Sequence, residues 1–261
     1  MSPKEHATGK VHIGTSGWHY KHWMGPFYPP KMPHGNMLRF YTEHFDTVEI
    51  NHSFYRLPAT TAIETWCRET PASFRFAVKA SRYVTHNRKL NDPKETVEKF
   101  MNVVEKLGRR LGPILFQLPP GWKLNLARLE SFLSGLPQPH RYAFEFRNPT
   151  WNVADVCHLL RRHNVAYCIY ELAGFQSPIE VTADFAYVRL HGPDENKYQG
   201  DYSKNVLEAW ARRIAEWEKE LRHIFVYFDN DQKGFAAKNA LELKEIVRHT
   251  NQRDRSTHRA A

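Results

Sequence analysis

Residues 142–151, YAFEFRNPTW, predict a β-strand with one aromatic face and one charged face. Aromatic residues occupy positions 142, 144 and 146, and they alternate with Ala143, Glu145 and Arg147. Because successive side chains of a strand point to opposite faces, the rings share one face while the carboxylate and the guanidinium share the other. Asn148-Pro149 then ends the strand. The charged face lies either in water or in an interior shared with other strands.

Seven other stretches show a strand pattern, which decides the fold class. They are VHIGTSGW from residue 11, TVEINHSFY (47–55), FRFAVKAS (74–81), PILFQLPP (113–120), AYCIYEL (166–172), FAYVRLHG (185–192) and IFVYFDND (224–231). Helical spacing is present between most of them, at 36–45, 62–68, 93–107, 153–163, 203–222 and 235–249. Strands that alternate with helices imply parallel pairing through crossovers, and eight of them in about 250 residues match a closed (β/α)8 barrel.

We therefore predict an α/β fold, a single TIM-barrel-like domain at 11–250 with a parallel eight-stranded barrel. A flexible N-terminus at 1–10 and a basic flexible tail at 251–261 flank it. An open doubly wound sheet is the structural alternative. The absence of a GxGxxG motif after the first strand argues against that alternative.

Composition limits the class of protein. The 261 residues are 41% hydrophobic and 25% charged, which is typical of a soluble globular chain, and no apolar run is long enough to cross a membrane. The start of the chain lacks the apolar core of a signal peptide. Three widely spaced cysteines fit a reducing compartment, so we predict a cytoplasmic protein without a disulfide framework or a cysteine zinc site. The net charge of +9 favours anionic partners, and the basic end at 248–259 is either a solvated tail or a nucleic-acid arm.

The face that a barrel would turn inward carries polar side chains near the carboxyl ends of its strands. These residues are Glu49, Asn51, Lys79, Gln117, Glu145, Arg147, Arg189, His191, Tyr227 and Asp229. In barrels of this class catalytic residues sit at that end. Burying several charges without partners is costly, so they must pair with one another, with a metal or with a ligand.

Structural interpretations compete with functional ones at each position. Glu145 and Arg189 are either part of a site or a structural ion pair that fills the barrel. His191 is either an acid/base or metal-ligand residue or a hydrogen-bonded histidine at a strand end. Lys79 and Arg147 either bind an anion or neutralise neighbouring carboxylates.

An aromatic segment follows the first predicted strand. GWHYKHW, residues 17–23, places Trp18, Tyr20 and Trp23 close together. These rings either line a binding cleft or pack beneath the proline-rich loop that follows.

The strand ends together resemble a known family. The motifs GTSGWHYKHW, VEINHSFYR, FRFAVKASRYVTH, LFQLPPGW, FEFRNPTW, YVRLHG and FDND followed by AAKNALEL resemble the YecE-like proteins, the domain of unknown function 72 family. The resemblance spans about residues 11–247 and implies a TIM-barrel-like fold. The family has no established activity, so the resemblance implies no chemistry. Its signature positions correspond to Glu49, Asn51, Lys79, Gln117, Glu145, Arg147, Arg189, His191 and Asn230.

The leading functional hypothesis is an enzyme, with a phosphoesterase-like hydrolase as one form, that acts on an anionic phosphoester or a nucleic-acid-related substrate. The predicted catalytic residues are Glu49, Glu145 and His191. The predicted substrate-binding residues are Asn51, Lys79, Gln117, Arg147, Arg189 and Asn230. A divalent metal is compatible with this set but not required, since the cations are able to neutralise the carboxylates. The alternative is a non-catalytic binding barrel for an anionic metabolite or nucleic acid.

Overall fold

Eight parallel strands form a nearly closed barrel surrounded by helices. The structure of the chain, a computed structural model, describes residues 9–259. The barrel strands are β1 (Lys10–Thr15), β2 (Thr47–Ile50), β3 (Arg75–Lys79), β4 (Leu111–Leu118), β5 (Tyr142–Phe146), β6 (Ala166–Leu172), β8 (Phe185–Leu190) and β9 (His223–Phe228). Their order in the sheet is β1-β9-β8-β6-β5-β4-β3-β2, and every pairing between them is parallel. The predicted (β/α)8 architecture is thus confirmed. A two-residue strand, β7 (Phe175–Gln176), pairs antiparallel with the end of β6.

Helices connect most of the strands. They are α1 (Met37–His44), α2 (Thr60–Glu69), α3 (Pro93–Val104), α4 (Leu126–Ser134), α5 (Ala154–Arg162), α6 (Lys204–Trp217) and α7 (Phe235–Arg259). The helix predicted for 203–222 ends at Trp217, and α4 was not predicted. None of the helices within residues 9–259 is both long enough and apolar enough to cross a membrane.

The predicted flexible ends fall partly outside the described residues. Residues 1–8, 260 and 261 lie outside them. Lys10 is the first residue of β1, and α7 continues past the predicted end at His249 to Arg259. The flexibility predicted for 1–10 and 251–261 stays a prediction.

The barrel closes between β1 and β2, where the strands meet at a single bridge. Ser16 pairs with Glu49 in parallel register just beyond the end of β1. Two residues before Ser16, a Cβ atom on Gly14 would lie 2.3 Å from the carbonyl oxygen of Thr47. Glycine at position 14 therefore permits the close approach of the two strands.

Tyr41 of α1 hydrogen-bonds to both strands at the seam, the place where β1 and β2 close the barrel. Its hydroxyl accepts the backbone N–H of Thr15 at 3.0 Å and donates to the carbonyl of Thr47 at 3.1 Å. The side chain is fully buried. A helix side chain thus satisfies backbone groups that the strand ladder leaves unpaired.

Two apolar layers support the polar end of the barrel. The aromatic face of β5 packs outward against the helices, as predicted: Phe144 contacts Phe132 of α4, with the ring centroids 6.0 Å apart. A second cluster fills the barrel itself: Ala77, Leu115, Ala143, Ala166, Cys168, Phe185, Tyr187, Phe225 and Tyr227. On β3, β4, β5, β8 and β9 the residue two positions after a member of this cluster is polar. The inner apolar layer therefore fills the barrel on the N-terminal side of the polar side chains, and the polar side chains lie towards the carboxyl ends of the strands.

Candidate functional site

Arg189 of β8 is the centre of the inward polar residues. Its Nε and Nη2 donate to Oε2 and Oε1 of Glu49 at 3.0 and 2.7 Å, and its Nη1 donates to Oε2 of Glu145 at 2.8 Å. Nη2 also donates to Oδ2 of Asp229 at 3.1 Å. Burial alone would lower the pKa of Arg189, but the three carboxylates raise it well above its ordinary value. A guanidinium that is 1% exposed thus keeps its charge because acidic side chains from three strands surround it.

Glu49 of β2 is saturated with donors. Ser16 donates its hydroxyl to Oε1, and Tyr187 donates its hydroxyl to Oε2 at 2.5 Å. Together with Arg189 these groups engage both oxygens, and the carboxylate is fully buried. In this arrangement Glu49 has no free oxygen to offer a substrate or a metal ion.

Glu145 of β5 is bound by two guanidinium groups. Arg147 donates Nε to Oε1, Arg189 donates to Oε2, and the Cys168 thiol lies 3.8 Å from Oε2. Burial raises the pKa of Glu145, but Arg147 and Arg189 outweigh it and hold the pKa well below the ordinary value. Glu145 is therefore ionised at neutral pH, and a carboxylate with so low a pKa is a weak general base.

His191 at the end of β8 has both ring nitrogens engaged. Nδ1 lies 2.9 Å from Oδ2 of Asp229, and Nε2 lies 3.1 Å from Nη2 of Arg147 and 3.2 Å from Nη1 of Arg189. A guanidinium only donates, so Nε2 is the acceptor and Nδ1 carries the proton that is donated to Asp229. Burial, followed by the charge of Arg189, lowers the pKa of His191. The hydrogen-bond pattern therefore assigns a neutral imidazole whose lone pair is occupied.

Three side chains keep unused polar atoms at the mouth of the barrel. Lys79 places Nζ 4.4 Å from the ring centroid of Phe54 and has no carboxylate within 4.0 Å among the residues that the structure describes. Arg147 lies over the ring of Tyr170 at 4.6 Å, and its Nη1 has no hydrogen-bond partner in the described part of the chain. Gln117 pairs in register with Glu145, and its amide has no hydrogen-bond partner among the side chains and backbone groups that the structure describes. These atoms are available to a ligand.

Lys79 differs from the other cations in its protonation. Burial, assisted by the charge of Arg189, lowers the pKa of Lys79 to about 8. The acidic side chains Glu145, Glu49 and Asp229 oppose this effect only partly. Near neutral pH the ammonium is therefore close to its titration range.

The two predicted asparagines are placed differently. Asn51, just after β2, has a buried Oδ1 without a partner in the described chain. Asn230 lies away from the mouth, because its neighbour Asp229 takes the inward position. The Nδ2 of Asn230 donates to the carbonyl of Gly200 and to Oδ1 of Asn239, both at 2.9 Å. The substrate-binding role of Asn230 stays a prediction, and the contacts of this residue tie β9 to the 191–203 loop and to α7.

The aromatic segment after β1 divides between cleft and core. Trp18 and Tyr20 line a cavity of about 570 Å³ beside the barrel mouth. Trp23 is instead fully buried and donates its indole N–H to the carbonyl of Asp231 at 3.0 Å. Trp23 therefore belongs to the core, whereas a binding role for Trp18 and Tyr20 stays a prediction.

The donor atoms do not form a metal-binding group. Among the side chains that the structure describes, no group of three or more His, Cys, Asp and Glu is arranged to hold a metal ion. Arg189 instead binds the carboxylates of Glu49, Glu145 and Asp229. Arg147 binds the carboxylate of Glu145 as well. The ion pair between Glu145 and Arg189, one of the two interpretations of these residues, is therefore present.

Sequence reasoning missed two contributors to this network. Ser16 lies in the turn after β1, and Tyr187 lies on β8 two residues before Arg189. The parity of β8 already placed Tyr187 on the inward face, so its position was readable from the alternation. No local signal marked Ser16, which reaches Glu49 only because the barrel closes there.

Comparison with known proteins agrees with this architecture. Residues 12–261 match the family model described as "Protein of unknown function DUF72". The UPF0759 protein YunF of Bacillus subtilis (strain 168) is 26% identical over 91% of this chain and 94% of its own length. The UPF0759 protein YecE of Escherichia coli (strain K12) is 23% identical over 80% of this chain and 82% of its own.

Solved structures show the same fold. A DUF72 family protein from Thermotoga maritima MSB8 superposes with a TM-score of 0.84 at 30% identity, covering 92% of this chain and 99% of that one. A DUF72 family protein from Enterococcus faecalis V583 gives a TM-score of 0.79 at 17% identity, covering 91% and 95%. With a family model that spans nearly its whole length, the chain belongs to the DUF72 family.

Proposed function

We propose that this protein binds an anionic small molecule at the C-terminal mouth of the barrel, with Lys79 and Arg147 as the binding cations. The observation that carries the proposal is the position of Lys79, a half-buried ammonium at the mouth without a carboxylate partner in the described chain. Burying such a charge is unfavourable unless another group compensates it. An anion at the mouth supplies that compensation.

Arg147 supports the same ligand class. Its Nε and Nη2 are held by Glu145 and His191, so the orientation of the guanidinium is fixed before a ligand arrives. Nη1 has no partner in the described residues and is able to donate to a ligand. Guanidinium groups with a fixed orientation bind carboxylates and phosphates well because little side-chain entropy is lost on binding.

Arg189, by contrast, acts within the protein. Its donors are distributed over Glu49, Glu145 and Asp229, and its side chain is 1% exposed. We propose that it holds these side chains in position beneath the ligand rather than contacting the ligand. The substrate-binding role predicted for Arg189 becomes a positioning role in this proposal.

A second candidate is an enzyme that acts on a phosphoester, and the titration of Lys79 favours it. A group with a pKa of about 8 is well suited to donate or accept a proton near neutral pH. The mouth offers no such freedom at Glu49, Glu145 or His191, whose polar atoms are engaged by other side chains. If the protein is a hydrolase, we propose Lys79 as the proton donor to the leaving oxygen.

Isothermal titration of the full chain with sulfate, inorganic phosphate and ribose 5-phosphate tests the binding proposal. Wild-type protein should bind at least one of them at a single site. Lys79→Met should weaken binding by at least about tenfold, about 1.4 kcal/mol. Lys99→Met, which removes an exposed lysine from α3, serves as the charge-matched control and should leave the affinity unchanged.

The outcomes are separable. Equal loss in both lysine variants would indicate general electrostatic attraction and contradict the proposed site. Turnover of a phosphoester panel that disappears in Lys79→Met would favour the enzyme. Binding without turnover across the panel would favour the binding protein.

A further inference from the structure

An aromatic cavity adjoins the barrel mouth but is separate from the cations there. Its volume is about 570 Å³, within the range of sites for small molecules. Four segments that are distant in sequence line it: 17–20, 34–38, 50–52 and 65–69. Lys79 and Arg147 are not part of its lining.

Two tryptophans form a corner of this cavity. The rings of Trp18 and Trp66 meet at 87° with centroids 5.5 Å apart, and Trp66 stacks on Phe76 of β3. Both tryptophans remain partly exposed, and Tyr20 lies on the same wall. A planar ring is the ligand shape that makes most contact with such a corner, since aromatic surfaces favour offset-stacked and edge-to-face geometry.

Two residues of the lining offer hydrogen-bond acceptors that are free to pair with a ligand. Asn51 lines the cavity, and its buried Oδ1 has no partner in the described chain. Glu69 also belongs to the lining and makes no ion pair with any side chain that the structure describes. A buried acceptor left unpaired is unfavourable, so the occupant should bring N–H donors. The carboxylate disfavours an anionic group inside the cavity.

The residues 51–54 form a wall shared by the cavity and the mouth. Asn51 and His52 line the cavity, whereas Phe54 lies beneath the ammonium of Lys79. The pairing of Ile50 with Val78 in register places Asn51 beside Lys79 on the next strand. A ligand that occupies both places is therefore neutral, planar and N–H-bearing at one end and anionic at the other.

We propose that the cavity binds the base of a mononucleotide whose phosphate lies at Lys79 and Arg147. This inference rests on the proposed anion site and specifies its ligand. Nucleobases combine a ring that stacks on aromatic side chains with N–H donors at its edge. Trp18, Trp66 and Tyr20 supply the stacking surfaces, and Asn51 and Glu69 accept the N–H groups.

Titration of the full chain with the four nucleoside 5′-monophosphates, the matching nucleosides, ribose 5-phosphate and inorganic phosphate tests the proposal. At least one nucleotide should bind ten times more tightly than ribose 5-phosphate. Asn51→Leu should remove most of that difference. Asn205→Leu, the same change at an exposed position in α6, should preserve it.

Each part fails in its own way. Nucleotides that bind no more tightly than ribose 5-phosphate would overturn the base subsite and leave the anion site standing. Nucleosides that bind as tightly as nucleotides would support the cavity and contradict the anion site. Absence of binding by every probe would overturn both. A ten-nucleotide single strand that binds more tightly than any mononucleotide would overturn the mononucleotide assignment in favour of nucleic acid.

Discussion

Arg189 and Glu49 form a two-point ion pair across the interior of the barrel. Nε and Nη2 of the arginine on β8 donate to Oε2 and Oε1 of the glutamate on β2, at 3.0 and 2.7 Å. Both side chains are buried, with 1% and 0% exposure. Their strands lie on opposite sides of the β1–β9 pair in the closed barrel, so this contact connects β8 with the edge strand β2 across the barrel interior.

Replacement of Arg189 with Met should be strongly destabilising. The change leaves the carboxylates of Glu49, Glu145 and Asp229 without their shared cation, and loss of one partner from a buried ion network typically costs about 3–5 kcal/mol. Arg162→Met is the control, because Arg162 pairs with Glu130 at the surface and such pairs contribute at most about 1 kcal/mol. Urea unfolding measures both. Equal stability of Arg189→Met and wild type would contradict the central role of Arg189.

The ionised carboxylate of Glu145 should make the free energy of unfolding depend on pH in the acid range. Its pKa in the folded protein lies below the ordinary value, because Arg147 and Arg189 outweigh burial. A depressed carboxyl pKa stabilises the fold above the unfolded pKa of about 4.3, and the contribution is lost as pH falls through the folded pKa. The stability difference between wild type and Glu145→Gln should therefore be largest at neutral pH and shrink below pH of about 4.3.

Urea unfolding at a series of pH values measures this difference. Glu98→Gln, an exposed change on α3, controls for the removal of a carboxylate. A difference between wild type and Glu145→Gln that stays constant down to acid pH would show that the ion pairs of Glu145 do not stabilise the fold.

The purified protein should contain no tightly held transition metal. A metal at Glu49 or Glu145 would have to displace Arg189, whose charge would then be buried without a partner. Elemental analysis of protein prepared without a chelator or a metal-affinity column, with Glu145→Gln beside it, measures the content. Near-stoichiometric zinc, manganese or iron that is lost in the variant would overturn this expectation and restore metal-dependent hydrolysis as the leading hypothesis.

Alternation along single strands was sufficient to predict the barrel and most of its polar interior. The parity of a strand is a local property, so Glu145 and Arg147 were assigned to the inward face from their spacing alone. Asn230 was chosen from the family resemblance and not from the alternation. The alternation placed its neighbour Asp229 on the inward face, and Asp229 does contact Arg189 and His191 there.

Long-range partners were not readable from the sequence. Arg189 contacts Glu49, which lies 140 positions earlier in the chain, and nothing local specifies that pair. The same holds for Tyr41 at the seam between β1 and β2 and for the cavity at Trp18. Helix α4 was a different case, since Asn125 caps it by accepting the N–H of Arg128, and that signal was present in the sequence.

Anion binding should weaken as Lys79 loses its proton. Burial and Arg189 lower its pKa to about 8, so the ammonium is largely charged at pH 7 and largely neutral at pH 9.

Sulfate is a suitable probe because its own charge does not change over this range. Wild-type affinity for sulfate should fall several-fold between pH 7 and pH 9, whereas the affinity of Lys79→Met should be low and nearly independent of pH. Three charged groups near Lys79 are not expected to titrate in this interval, because the pKa of Arg189 is raised above its ordinary value and those of Glu145 and Asp229 are lowered below theirs. His86 also lies near Lys79, and its pKa is lowered by burial and by that lysine, which moves its titration further below pH 7. A pH dependence that persists in Lys79→Met would therefore assign the titration to another group and remove the strongest support for Lys79 as the ligand-binding cation.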